Sequence, residues 1–204
     1  MKRGFTLFEM IVAIGVFSII VVISLGSVLT ISNAQKKAAS FRVVQDNLNF
    51  ALETMAKSIR VGFDYYCYDD PTPASNPLIG DYDYSDPNDC SINNSTGGNV
   101  FIFKAIDEDG SETTKAYRIN KTQNGTRIEA ASSETDDSET DDFIPLTGND
   151  IEITRGVFYV SGSGSGDPEQ PRVTIVLTGT AGKAGKIQSE ANVQTTISQR
   201  QPDS

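Results

Sequence analysis

The hydrophobic pattern divides this chain into three stretches. Residues 5–31 are almost continuously apolar, interrupted by Thr6, Glu9, Gly15, Gly26 and a few hydroxyls, and the next charge is Lys36. A hydrocarbon core about 30 Å thick takes roughly 20 apolar residues at about 1.5 Å rise each, so this stretch is long enough to cross a bilayer. Lipid offers the backbone no competing partner, which predicts a helix in spite of the modest propensities of Ile, Val and Phe. From Asn33 the pattern turns periodic. Phe41, Val44, Leu48, Leu52, Met55 and Ile59 recur at steps of three and four, with Arg42, Asp46, Glu53 and Lys57 elsewhere on the circumference. One helix over 5–61, roughly 85 Å long, is expected. Residues 5–32 form its membrane or filament-core half, residues 33–61 its amphipathic half, and Gly62 its stop.

The third stretch begins with residues 62–98, rich in Asp, Pro, Asn, Gly and Tyr, which read as an acidic loop. Residues 99–204 read as an antiparallel sheet domain. Strands are expected at 100–105 and 116–121, joined by the acidic turn Asp107-Glu108-Asp109-Gly110, with others near 127–130, 151–160, 173–177 and 191–199. The tandem repeat Ser133-Glu134-Thr135-Asp136-Asp137 and Ser138-Glu139-Thr140-Asp141-Asp142 contains no hydrophobe and predicts a mobile, duplicated loop. The run Ser161-Gly162-Ser163-Gly164-Ser165-Gly166 lacks the Gly-Lys-Ser/Thr ending of a phosphate loop and reads as a flexible hairpin connection. The expected fold class is α+β, with one long N-terminal helix packed on a C-terminal antiparallel β-sheet. The apolar stripe of the helix must be covered by something, and the domain that follows is the obvious candidate.

The chemistry concentrates at the front. A secretory signal would carry a shorter apolar region followed by a small-residue cleavage site, and none follows Ile31. The small residue, Gly4, precedes the apolar run; cleavage there would leave the helix on the mature chain with Phe5 first. Glu9 is a carboxylate inside an apolar segment, which costs up to about 3 kcal/mol at mid-membrane and usually marks function. Two readings of it stand. It caps its own helix start, where the macrodipole favours an anion, or it pairs with the α-amine of a neighbouring copy and sets subunit register.

The segment Lys2-Arg3-Gly4-Phe5-Thr6-Leu7-Phe8-Glu9 resembles the class III prepilin leader of type IV pilins and type II secretion pseudopilins. The resemblance joins basic leader, Gly, Phe, Thr-Leu, Glu and apolar helix in one order. It implies a leader of residues 1–4, removed by a membrane prepilin peptidase that cuts after Gly4 and N-methylates Phe5. It implies that Glu9 contacts a neighbour's terminal amine in the growing filament, which favours the second reading. The implied partners are other pilin or pseudopilin subunits and the inner-membrane assembly platform. The implied location is the cytoplasmic membrane, crossed once with the N-terminus cytoplasmic and the C-terminal domain outside, and afterwards the filament. The sheet-forming C-terminal half ending Thr195-Thr196-Ile197-Ser198-Gln199-Arg200 is similar to J-type minor pseudopilins and W-type minor pilins. Glu9 argues against the tip-capping minor pseudopilins that lack this acid.

Charge and cysteines refine this reading. The net charge is −10, and a chain without Lys2 and Arg3 stands at −12, which makes nucleic acid an unlikely partner for the globular part. Lys36, Lys37 and Arg42 flank the apolar run on its far side, so the positive-inside count is near a tie and the leader motif and the cysteines decide the orientation. Cys67 and Cys90 are the only cysteines; an even pair in an extracytoplasmic domain reads as one disulfide, worth roughly 3 kcal/mol by chain entropy. Asp81, Asp83, Asp86 and Asp89 supply the oxygen ligands calcium takes, but their spacing lacks the Gly and terminal Glu of an EF-hand, and a solvated acidic loop is the preferred reading. Tyr65, Tyr66, Tyr68, Tyr82 and Tyr84 form either a contact surface or packing over the helix. The chain has no histidine, which removes Ser-His-Asp and Cys-His systems, and no acid pair sits in a recognisable glycosidase context. A structural subunit without a reaction of its own and without a cofactor is therefore expected. The rival is a single-pass anchor for an acidic domain that binds a ligand or calcium and never polymerises, and it leaves residues 4–9 unexplained.

Overall fold

A computed structural model describes Gly4 and residues 6–69, 86–90, 97–107, 109–122, 125–134, 143–164, 169–182 and 187–200. Helix α1 (Leu7–Val61) runs unbroken for 55 residues. The sheet region follows as β1 (Phe63–Tyr68), β2 (Val100–Ile106), β3 (Glu112–Thr122), β4 (Gly125–Glu134), β5 (Ile144–Pro145), β6 (Ile151–Ser161), β7 (Arg172–Gly182) and β8 (Gln188–Ser198). All pairings between these strands are antiparallel, and they form two sheets: β1-β2-β3-β4-β5 and β6-β7-β8. The result is an α+β, pilin-like architecture, with a long helix laid against antiparallel sheet.

The helix buries one face only, and only in its second half. Val44, Leu48, Ala51, Met55 and Ile59 have no solvent exposure, and their steps of four, three, four and four place them in a single stripe. Alternate residues of the strands meet that stripe, as pleating requires: Phe101 and Phe103 from β2, Tyr117 and Ile119 from β3, and Val173, Ile175 and Leu177 from β7. The helix packs chiefly on β7 and β8. A smaller cluster of Tyr66, Val100, Ile102 and Ala116 forms separately, with Phe143 against it.

Several expectations change in detail. The region expected as a loop from residue 62 opens instead with strand β1, whose register slips between Phe63 and Tyr66 where Asp64 takes a left-handed φ of 51°. That bulge, and a run of Asp and Tyr without clear alternation, hid the strand from periodicity. The single expected sheet is two. Gly62 does stop the helix, but from an extended conformation (φ −79°, ψ 165°), not the left-handed one glycine often supplies. Its small size is what matters, because a Cβ there would drive into the Phe103 ring. Tyr65 and Tyr66 are buried and so serve packing, whereas Tyr82 and Tyr84 lie outside the described residues. Residues 135–142 of the acidic repeat also lie outside them.

Candidate functional site

The predicted site is the start of α1. Gly4 is exposed with open space around it, and Phe5 lies outside the described residues. Thr6 is the N-cap: its backbone is extended (φ −79°, ψ 151°) and its Oγ1 accepts from the Glu9 N–H at 3.3 Å. Thr6-Leu7-Phe8-Glu9 has the spacing of a capping box, yet among the described residues the Glu9 carboxylate makes no hydrogen bond or ion pair. The cap is therefore made by the threonine, and the acid stands exposed in the first turn, where the helix dipole favours a negative charge. Reading the sequence for Glu9 alone missed Thr6, which the Thr-x-x-Glu spacing would have found.

Behind this cap the helix carries no cover at all. The most apolar 18-residue window has a mean hydropathy of 2.7 and is 0% buried, making this a helix long and apolar enough to cross a membrane. Leu7, Phe8, Ile14, Phe17, Ile23 and Leu29 are all at least 60% exposed. The polar groups inside the span are satisfied internally. Ser18, Ser24, Ser27 and Thr30 donate to the carbonyls of Ile14, Ile20, Ile23 and Gly26 at 2.8, 2.8, 3.1 and 3.0 Å. That arrangement suits a medium without hydrogen-bonding solvent.

At the other end the helix is stitched to the domain. Tyr65 OH donates to the carbonyls of Ile59 (2.6 Å) and Gly62 (3.2 Å), and the Arg200 N–H reaches the Arg60 carbonyl at 2.9 Å, so otherwise orphaned C-terminal carbonyls are filled. Ser58 Oγ and Tyr117 OH share a hydrogen bond of 2.9 Å, and burial pushes the Tyr117 phenol above its ordinary range despite that bond.

Cys67 and Cys90 are joined in a disulfide with Cα atoms 5.6 Å apart. The three residues Asn88-Asp89-Cys90 form a clasp between the two sheets. Asn88 Oδ1 accepts from the Cys67 N–H and its Nδ2 donates to the Cys67 carbonyl, at 3.1 and 2.9 Å. Asp89 accepts from the Gly162 N–H, the Ser163 N–H and the Ser163 hydroxyl at 3.1, 2.9 and 2.6 Å, while Cys90 bridges to Val160 of β6. Of the four calcium candidates, Asp81 and Asp83 lie outside the described residues, Asp86 is exposed, and both Asp89 oxygens are engaged by this clasp. Among the described residues no three metal-ligating side chains stand together.

The family profile for the prokaryotic N-terminal methylation motif matches residues 1–30. No curated protein and no solved structure matches the chain. The motif is of the pilin and pseudopilin type, whose members are structural and not enzymatic, and here it opens a pilin-like fold with an uncovered apolar helix consistent with membrane anchoring.

Proposed function

We infer that the chain is a structural, minor subunit of a type IV pilus or type II secretion pseudopilus, cut after Gly4 by a prepilin peptidase, N-methylated on Phe5 and assembled through α1. One observation carries the reading. The methylation motif opens a helix whose second half buries an apolar stripe against the sheets and whose first half exposes sixteen large hydrophobics, from Leu7 to Ile31, each at least 48% exposed. At roughly 25 cal/mol per Å² of apolar surface, leaving that half in water would cost tens of kcal/mol. It belongs first in lipid and then, once extracted, against the helices of sister subunits.

Glu9 is the acid that chooses the neighbour. Thr6 caps the helix, and among the described residues the Glu9 carboxylate has no hydrogen-bond or ion-pair partner, which leaves it available to the α-amine of an adjacent mature chain. The C-terminal sheet of β6, β7 and β8, whose last strand ends at Ser198, supports a J-type or W-type minor subunit. Its partners are then the peptidase, related pilin subunits and the inner-membrane assembly platform, and its domain lies outside the cytoplasmic membrane.

The test is Glu9→Ala in the native cell. Unchanged membrane insertion with loss of the chain from sheared filaments supports the assignment. Normal incorporation contradicts the charge-pair role, and a wild-type chain that stays solitary in the membrane favours a non-polymerising anchor.

A further inference from the structure

Between Glu9 and Asp46 the only charged residues are Lys36, Lys37 and Arg42, in a chain whose net charge is −10. All three are exposed. None makes a side-chain ion pair or hydrogen bond among the described residues, although Asp46 stands one helical turn beyond Arg42. The domain's lower edge docks at this level. Ser189 Oγ donates to the Lys37 carbonyl at 3.0 Å and Ser40 Oγ to the Ala181 carbonyl at 2.8 Å, tying β7 and β8 to the helix here. The sequence places two more lysines, Lys183 and Lys186, in the connection between those strands, outside the described residues.

Height and angle identify what these cations face. Lys36 follows Ile31 by about 8 Å of helix, at about 1.5 Å per residue, which sets it at the outer boundary of the headgroup region if residues 7–31 span the bilayer. Arg42 is about 9 Å further out, and a long basic side chain can extend back toward the interface. At about 100° per residue, Lys36, Lys37 and Arg42 point in directions separated by roughly 100°, 140° and 120°. They encircle the helix, as the headgroup layer around a membrane-spanning segment does, and their charge is complementary to anionic headgroups.

We propose that Lys36, Lys37 and Arg42 form a basic collar that seats the lower edge of the domain on anionic phospholipid headgroups before the subunit leaves the membrane. The proposal rests on the membrane-anchored reading above. It also accounts for cations on the side of the span where the positive-inside rule does not require them. Each cation near an anionic surface is worth about a fivefold change in partitioning, an effect screened by salt.

The test uses the full chain, one copy per lipid nanodisc of phosphatidylcholine with about one-third phosphatidylglycerol, and compares motional restriction of spin-labelled phosphatidylglycerol with that of phosphatidylcholine. The expected result is a several-fold preference for phosphatidylglycerol. It should fall toward parity in high salt and in K36Q/K37Q/R42Q, and survive in K57Q, where a lysine already paired with Glu53 is removed. Equal association of the two lipids with the wild-type chain, or a preference retained in the triple variant, overturns the proposal. So do carbodiimide cross-links in native membranes from Lys36 or Lys37 to acids of a second copy, in place of lipid selectivity in the nanodisc, since these assign the collar to a sister subunit. Release of the wild-type chain from membranes by alkaline carbonate is a separate outcome, which defeats the anchoring itself.

Discussion

The two halves of α1 are built from similar residues and meet opposite fates. Val44, Leu48, Met55 and Ile59 are fully buried, whereas Ile14, Val16, Ile19 and Ile23 are each more than half exposed. The difference lies in the arrangement of the apolar residues. In the second half they occupy one stripe with polar neighbours around it, so the sheets packed on that one side satisfy them. In the first half they cover the whole circumference, and no one-sided partner within the chain can do so. One half is therefore completed by folding and the other only by a surrounding medium or a ring of helices.

The contrast breaks most severely where the stripe meets the sheets. Leu48→Ala is expected to lower the domain's unfolding free energy by about 2–5 kcal/mol, because it leaves a cavity in a core with no exposure. Ile20→Ala, in the uncovered half, is expected to leave domain stability unchanged; denaturant titration of both variants in detergent compares them. Next comes the clasp. Replacing Cys67 and Cys90 together with alanine should cost about 3 kcal/mol by the chain-entropy estimate for a 23-residue separation, read in the same titration. Thr6→Ala should then cost about 1 kcal/mol, confined to the first turn. Hydrogen exchange at residues 7–10 would rise while domain melting stays put.

The smallest expected effect is electrostatic and again separates the halves. Burial, and the nearby negative charge of Asp64, raise the Tyr66 phenol; burial raises that of Tyr117. Lys104 is raised as well: desolvation opposes this, but its ion pairs with Asp64 and Glu112 prevail. Groups raised on folding contribute stability that is fully present below their unfolded values, near 10.0 for tyrosine and 10.5 for lysine, and lost as pH climbs through the folded ones. Domain stability should thus decline from about pH 10 upward, while the helicity of residues 10–31, which hold no titratable side chain, does not change. Circular dichroism and domain melting between pH 8 and pH 11.5 check both.

Much of this was legible in the sequence because helix periodicity is local. The stripe lies at Val44, Leu48, Met55 and Ile59 as expected, but Ala51 completes it, and Leu52, expected in it, is half-buried beside the core. Phe41, included by periodicity, is 40% exposed because it lies a turn short of the first fully buried position, Val44. Strand β1 and the division into two sheets were not legible. A bulge at Asp64 disrupts alternation, and sheet membership depends on which strands pair, which a one-dimensional pattern does not carry. At the front, Gly4 and Glu9 were visible as types in an order, and the N-cap at Thr6 was legible in the Thr-x-x-Glu spacing but went unread; the backbone geometry identifies it.

The central claim is that the uncovered helix belongs to a processed subunit and begins the mature chain. Intact mass and amino-terminal fragment spectra of the chain purified from native membranes test it most directly. The account predicts a first residue of N-methylated Phe5 with Met1 to Gly4 absent; a mature chain retaining Met1, or beginning anywhere upstream of Phe5, would contradict it.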